Sequence, residues 1–249
     1  MRQEADGGGS ELPRRDSAEF SEQVQGMFDR IAGVYDAMNS AMTAGLHHRW
    51  RERTVDRLQL RDGDTALDVC CGTGDMALEL QRRVGPKGRV TGCDFSEAML
   101  GLARRKAEGE GVEIEFEWAD ALALPYGDAS FDAVSVGFGV RNLADLGLGL
   151  AEMARVLRPG GRLAILEITQ PRRPPLSTFF SLWFDRAVPQ LGKLAGDAAA
   201  YSYLPQSVKS FPPPEILAAK LDAVGLESIR YTVLAGGIIA IHSAAKPAR

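Results

Sequence analysis

Cysteine is scarce in this chain of 249 residues: there are three. Cys70 and Cys71 are adjacent, and Cys93 ends a later apolar run. No C-x-x-C occurs and no histidine cluster lies near them. A disulfide framework and a zinc site are therefore not expected, and no metal is assigned. The three thiols read as small buried groups in a reducing compartment. An excess of positive charge is also missing. Lys and Arg total 29 against 33 Asp and Glu, the net charge is −4 and the pI is about 5.5. A general nucleic-acid binder carries the opposite balance, so no nucleic-acid partner is expected. No run of about 18 apolar residues appears, which excludes a spanning helix. Residues Met1 to Asp6 hold no apolar signal core. The cytoplasm is the expected location. No internal repeat is visible. What remains is 45% hydrophobic and 25% charged, ordinary globular composition, at a length that suits one large α/β domain.

Residues 1–20, with Gly7-Gly8-Gly9-Ser10 and Pro13, read as a disordered tail. Val24, Met27, Phe28, Ile31 and Tyr35 then recur at helical spacing. With a second helix over Leu46–Leu58, they form a helical lid spanning 21–60 of one domain, 21–249. Strands and helices alternate after it. Strands are expected at Thr65–Cys70, Arg89–Asp94, Val112–Trp118, Phe131–Phe138 and Arg162–Ile168. Helices are expected at Asp75–Val84, Ser96–Glu108 and Leu143–Leu157, with Ser96 as an N-cap. Arg158-Pro159-Gly160-Gly161 reads as a helix stop and turn. The rhythm breaks in an insert over 170–211. It resumes with a helix at Pro214–Val224 and two strands, Leu226–Leu234 and Gly237–Ala244, joined as a hairpin. This is a doubly wound, Rossmann-like α/β fold with a seven-stranded, mostly parallel sheet and a C-terminal antiparallel hairpin.

The chemistry begins at Asp68-Val69-Cys70-Cys71-Gly72-Thr73-Gly74. An apolar run meets a Gly-x-Gly turn, and a second run ends in Asp94. Gly72 and Gly74 let backbone approach a ligand, and Asp94 can accept hydrogen bonds from ribose hydroxyls. The same residues satisfy the nicotinamide pattern G-x-G-x-x-A. Three features turn the reading toward a sulfonium cofactor. Asp68, inside the first strand, can meet a cationic amino group or fix the glycine turn, whereas a dinucleotide pyrophosphate needs no such acid. Asp120 and Ala121, after the third strand, can read an adenine edge, although Asp120 alone could cap its own turn. The sheet ends in a hairpin and not in a second βαβαβ half. Together these resemble the class I S-adenosylmethionine-dependent methyltransferase fold over residues 64–245.

The flanks are more specific. Tyr35-Asp36-Ala37-Met38-Asn39-Ser40-Ala41-Met42-Thr43, followed by His47 and Trp50, resembles an N-terminal signature of the menaquinone/ubiquinone biosynthesis C-methyltransferases. Arg155-Val156-Leu157-Arg158-Pro159-Gly160-Gly161, ending in Glu167-Ile168-Thr169, resembles that family's second signature. Gly139-Val140-Arg141-Asn142, the stretch Tyr201 to Val208 and Ala240-Ile241-His242 also match. The resemblance runs from about Val24 to Lys246. It implies S-adenosylmethionine as cofactor and a ring carbon of a polyprenylated quinol as acceptor: demethylmenaquinol, or a demethoxy-quinol of the ubiquinone pathway. Another small lipid or phenolic acceptor is the competing reading. Cofactor contacts carry over to Thr73, Asp94, Asp120 and Ala121, with Phe95 and Gly137 beside them. Gly137 stands where the family often has Ser, which removes any hydroxyl contact there. Thr43 replaces a signature Ser and keeps the hydroxyl.

The resemblance also implies that Arg141 and Asn142 face the quinol. Arg141 stays charged, so it is cast as an electrostatic stabiliser of a phenolate rather than a conventional base. Tyr35, Asp36, His47, Tyr201 and His242 are candidate substrate contacts; each could instead pack or cap, and a His within a strand is commonly structural. The insert carries Leu176, Phe179, Phe180, Trp183, Phe184 and Ala187 at helical spacing, with a local excess of Lys and Arg. That face can cover the ligands or pack on the sheet edge. The basic residues can face anionic lipid, giving a protein that visits the inner face of the membrane. A homodimer stays open.

Overall fold

The computed structural model describes residues 18–187 and 198–248. Seven strands form one sheet in the order β3-β2-β1-β4-β5-β7-β6. They are β1 Thr65–Val69, β2 Arg89–Asp94, β3 Glu115–Trp118, β4 Phe131–Gly137, β5 Leu157–Ile168, β6 Glu227–Leu234 and β7 Ile239–Ala245. The first five pair in parallel, and β7 runs antiparallel between β5 and β6. The order reverses at β1 and β4, so the crevice past their carboxyl ends is where a ligand binds in such a sheet. Central strands carry nearly continuous apolar side chains because helices cover both faces. One core layer gathers Leu67, Val134, Leu150, Met153 and Ile165; the other gathers Ala66, Leu80, Leu100, Ala133 and Leu166. Leu67 and Ile165 are fully buried, each contributing roughly 1.5–3 kcal/mol.

The helices are α1 Ala18–Thr43, α2 Leu46–Asp56, α3 Asp75–Val84, α4 Glu97–Glu110, α5 Leu146–Val156, α6 Leu176–Leu182, α7 Ala198–Ser210 and α8 Pro214–Ala223. A wide turn, Trp183–Ala187, extends α6. Ser96 caps α4, its Oγ accepting from Met99 N–H at 3.2 Å. The expected helix start at Leu143 is displaced to Leu146. A short 3₁₀ turn at Val140–Asn142 comes first, and Asp145 caps the helix by accepting from Leu148 N–H at 2.9 Å. The expected turn at Arg158–Gly161 lies inside β5 as an interruption. Leu157 pairs with Phe131, and pairing resumes at Arg162 with Ala133, Gly160 taking φ 78° between them.

The tail boundary needs correction. Residues 1–17 lie outside the described part of the chain, but α1 begins at Ala18. Phe20, assigned to the tail, is 2% exposed and packs with Val24, Met27 and Tyr203. The insert splits its aromatic face. Phe180 and Phe184 stack at 4.1 Å and pack on Val208, while Leu176, Phe179, Leu182 and Trp183 stay exposed. Among the described residues, no helix is long and apolar enough to cross a membrane.

Candidate active site

β1 ends in a left-handed path. Cys70 sits at φ 53°, Gly72 at 55° and Gly74 at 85°. Glycine bears such angles without steric cost. At Gly74 a Cβ would also lie 3.0 Å from Ala103 Cβ and 3.1 Å from the Phe116 ring. From the neighbouring strand, Asp94 holds the loop: Gly72 N–H donates to Oδ2 at 2.9 Å and Ser96 N–H to Oδ1 at 2.9 Å. Burial pushes the Asp94 carboxyl up to about 6, against the opposing pull of those N–H groups. Each oxygen keeps a lone pair for a hydroxyl of a ligand.

A cavity of about 140 Å³ opens beside this loop. It is lined by Gly72, Asp94, Phe95, Asp120, Ala121 and Gly137, all of them sequence candidates. Asp120 also accepts from Leu122 N–H at 2.9 Å, so it caps its turn and lines the cavity together. Three candidates do not reach the cavity. Gly74 packs behind the loop. Asp68 is fully buried on β1, where Ser135 Oγ donates to its Oδ1 at 2.6 Å and Oδ2 has no partner. Burial drives its carboxyl up to about 7. Its side chain thus ties β1 to β4, while the loop N–H of Gly72 is taken by Asp94.

Thr73 is the third. Its Oγ donates to Asp36 Oδ1 at 2.6 Å, and Lys106 Nζ donates to Asp36 at 2.8 Å and to Thr73 Oγ at 3.2 Å. Lys106 also pairs with Asp75, which lies 3.3 Å from Arg51. Burial opposes the Asp75 charge, but Arg51 and Lys106 outweigh it and hold the carboxyl below its ordinary value. Thr73 and Asp36 therefore latch the lid to the glycine turn, and Asp36 is an ion-pair partner rather than a substrate contact. Two further groups of this cavity carry no sequence signal. Gln25 Nε2 and Trp118 Nε1 both donate to the Phe95 carbonyl, at 2.7 and 2.8 Å, and both line the cavity. No motif marks Gln25; only its place on the lid helix hints at it.

A second cavity, about 430 Å³ and walled mainly by apolar side chains, adjoins the first. Phe28, Tyr35 and Phe138 line both, so the two meet there. Phe138 is held at φ 60°, a strained angle for an aromatic residue placed at the junction. Arg141 lines the apolar cavity and Asn142 the cofactor cavity. Arg141 Nη1 donates to Glu167 Oε1 at 2.7 Å and to the Phe138 carbonyl at 2.5 Å, and its Nε is buried without a partner. Burial works against its charge, but Glu167 prevails and raises the guanidinium above its ordinary value. Glu167 was quoted only as the end of a motif; its side chain is 1% exposed. Tyr203 OH donates to Asn142 Oδ1 at 3.1 Å.

The remaining substrate candidates divide. His47 lines the apolar cavity, but both ring nitrogens are engaged, Nδ1 by Arg51 and Nε2 by Ser40 Oγ at 3.1 Å. Burial, then the charges of Arg51 and His48, lower it to about 4, so the ring is neutral. Among the described residues, His47, His48 and Asp75 bring three potential metal-ligand atoms within 4.8 Å of one another. The Arg51 cation stands against two of the three, which disfavours a metal ion there. Tyr201 falls on α7, but its side chain lies outside the described residues. His242 is not at the site. It is buried on β7, lines neither cavity, and its Nε2 meets the Pro214 carbonyl at 2.9 Å.

The ubiE/COQ5 methyltransferase family model matches residues 16–246. The demethylmenaquinone methyltransferase of Thermus thermophilus is 46% identical over 89% of this chain and 100% of its own length. The 2-phytyl-1,4-naphtoquinone methyltransferase of Thermosynechococcus vestitus is 42% identical, over 90% and 99%. The ubiquinone/menaquinone biosynthesis C-methyltransferase UbiE of Saccharophagus degradans is 37% identical, over 93% and 94%. Among solved structures, a methyltransferase from Aquifex aeolicus superposes with a TM-score of 0.56 at 22% identity, covering 78% of this chain and 88% of its own. The [4+2]-cyclase SpnF superposes with a TM-score of 0.70 at 20% identity, over 92% and 97%. A cyclase on this scaffold shows that the fold alone does not fix the chemistry. The family match decides it, and a glycine turn with a carboxylate lining the cavity beside it fits an adenosyl ligand: the chain belongs to the ubiE/COQ5 methyltransferase family and is an S-adenosylmethionine-dependent C-methyltransferase.

Proposed function

We propose that the chain methylates a ring carbon of a polyprenylated quinol, with demethylmenaquinol as its substrate. The observation that carries this reading is the apolar cavity joined to the cofactor cavity, with a buried arginine in its wall. Its volume falls in the range of small-molecule sites. The relatives at 46% and 42% identity carry naphthoquinone names, and the relative at 37% carries both quinone names. This favours demethylmenaquinol over the demethoxy-quinol of the ubiquinone pathway, which is the second reading.

S-adenosylmethionine supplies an electrophilic methyl group on a sulfonium. The protein's share is placement and charge. The acceptor carbon becomes nucleophilic as the neighbouring ring hydroxyl gives its proton to water; as the methyl–sulfur bond breaks and the new C–C bond forms, the carbon's own proton returns through water to that oxygen and the quinol is restored. Arg141, always charged and walled by apolar groups, stabilises the resulting phenolate where little water screens it. Asn142, fixed by Tyr203, stands next to it on the cofactor side, so the acceptor is held between the two cavities. Holding the carbon in line with the methyl supplies much of the acceleration.

The prenyl tail leaves toward the insert. Phe179 and Trp183 line the apolar cavity and are also exposed, with exposed Leu176 and Leu182 beside them. Arg173 and Arg186 are exposed on the same segment. A lipid surface of anionic headgroups fits this edge. Co-sedimentation with phosphatidylglycerol vesicles is expected to exceed that with phosphatidylcholine vesicles; equal binding would remove the basic residues from the argument. The function itself is tested with labelled S-adenosylmethionine and detergent-dispersed demethylmenaquinol or demethoxy-ubiquinol. Label is expected in the naphthoquinol, and label in neither ring would sink the reading.

A further inference from the structure

Few buried polar side-chain atoms among the described residues lack a partner. They are Asn39 Nδ2, Asp68 Oδ2, Gln81 Oε1, Tyr126 OH, Arg141 Nε and His242 Nδ1. Of these residues, only Asn39 and Arg141 line the apolar cavity. A buried donor without a partner is uncommon in a native structure and asks for an explanation. Two neighbouring polar groups of the wall are engaged: both nitrogens of His47 have partners, and Thr43 Oγ donates to the Asn39 carbonyl at 2.7 Å. Asn39 Nδ2, on the lid helix, and Arg141 Nε, on the 3₁₀ turn after β4, are the two buried side-chain donors of this wall without a partner among the described residues.

A 1,4-quinol has two oxygens on opposite sides of its ring. One lies next to the carbon that accepts the methyl group. Arg141 is adjacent in sequence to Asn142, which lines the cofactor cavity, so Arg141 addresses that nearer oxygen. Asn39 lines the apolar cavity alone and lies one helical turn beyond Tyr35, which lines both. We propose that Asn39 is a substrate-positioning residue whose Nδ2 donates to the far ring oxygen, the one across the ring from the oxygen that Arg141 stabilises. The proposal rests on the quinol reading. It gives the lid helix a direct part in recognition: α1, held to the glycine turn through Asp36, Thr73 and Lys106, carries the Asn39 donor. It predicts selection of a 1,4-dioxygenated ring over a simple phenol, since a buried donor facing a ring without that oxygen stays unpaired.

The test compares two acceptors, demethylmenaquinol and the prenylated 1-naphthol that lacks the far oxygen, in the wild-type chain and in Asn39→Leu. The wild type is expected to prefer the diol in kcat/KM. Asn39→Leu is expected to lose about tenfold on the diol, mostly through KM, and little on the naphthol. The preference then shrinks by the same factor. Asn39→Asp, which keeps the shape but loses the donor, is expected to behave alike or worse. Calorimetric affinity for S-adenosylmethionine is expected to be unchanged in both variants, which separates a local effect from a folding failure. An unchanged preference in Asn39→Leu would overturn the assignment. A wild-type chain that methylates neither ring would overturn the quinol reading beneath it.

Discussion

The two halves of the active site are built on opposite plans. The cofactor half is shaped by backbone turns, at Gly72 and at Asp120–Leu122, whose main-chain N–H groups Asp94 and Asp120 take. The substrate half is side chain. Phe28, Met42, His47, Phe138, Arg141 and Phe180 converge from α1, α2, the exit of β4 and the insert. Backbone geometry resists substitution at glycines and tolerates it elsewhere. A side-chain cavity can be retuned one residue at a time. The same fold thus keeps one methyl donor while its acceptor changes.

That contrast is sharpest at Arg141. Its replacement by alanine leaves Glu167 buried and uncompensated. The expected cost is about 3–5 kcal/mol of stability, with methyl transfer falling by roughly 10²–10³. Cofactor affinity should hold. Arg141→Met combined with Glu167→Gln is expected to regain most of the stability in urea unfolding and none of the turnover. Normal turnover in the double variant would mean the substrate half is only a greasy cleft. On the cofactor side the counterpart is Gly74→Ala. The left-handed angle costs about 1–2 kcal/mol for an L-residue, and the new Cβ presses on Ala103 and Phe116. The Kd for S-adenosylmethionine should rise about tenfold with KM for the quinol unchanged. A shift confined to the quinol would break the division between the halves.

An effect on stability alone, visible only as a pH dependence, is expected at Asp68. Its carboxyl rises from 3.8 to about 7 on folding, chiefly by burial. The native state therefore binds this proton more tightly than the unfolded chain does. The stability it contributes is present in full below about pH 4 and is lost as pH climbs through about 7. Asp68→Asn removes that penalty. The loss of stability between about pH 3 and 8 should be shallower in the variant, by up to about 4 kcal/mol at 1.36 kcal/mol per tenfold change in proton affinity. Cofactor affinity should not change, because Asp68 does not line the cavity. Weakened binding in Asp68→Asn would restore it to the ligand contacts.

Legibility in the sequence follows the same division. Strand and helix alternation marks the sheet, and the Gly72–Gly74 turn with Asp94 marks the edge of the smaller cavity, because backbone motifs are local and carry their geometry in residue type. Spacing could not tell which candidates line the cavity and which stand behind it. Asp68, Thr73 and Asp94 all sit near one turn, yet only Asp94 faces the ligand space. The substrate half was readable only through family resemblance. Nothing in the pattern says that Glu167 on β5 reaches Arg141, or that Gln25 and Trp118 meet at the Phe95 carbonyl, since these pairings are made by tertiary approach. Phe20 was misread because a single aromatic residue near a Gly-rich tail lacks the periodicity that would have claimed it for α1.

His242 closes the series with the least expected effect. It belongs to a matched motif, and an imidazole has a pKa suited to proton transfer. The structure places it on β7 against Tyr231, ring centroids 5.3 Å apart, with Nε2 at the Pro214 carbonyl. That carbonyl can only accept, so Nε2 carries the proton and Nδ1 is the bare, buried nitrogen. Burial lowers the ring below its ordinary value, which keeps it neutral. Its work is to tie β7 to the start of α8. In His242→Phe the stacking survives and one hydrogen bond is lost, so stability should fall by about 1–2 kcal/mol while kcat and KM stay within twofold of wild type. A kcat loss beyond about tenfold in folded protein with intact cofactor affinity would mean that the C-terminal hairpin belongs to the substrate half after all.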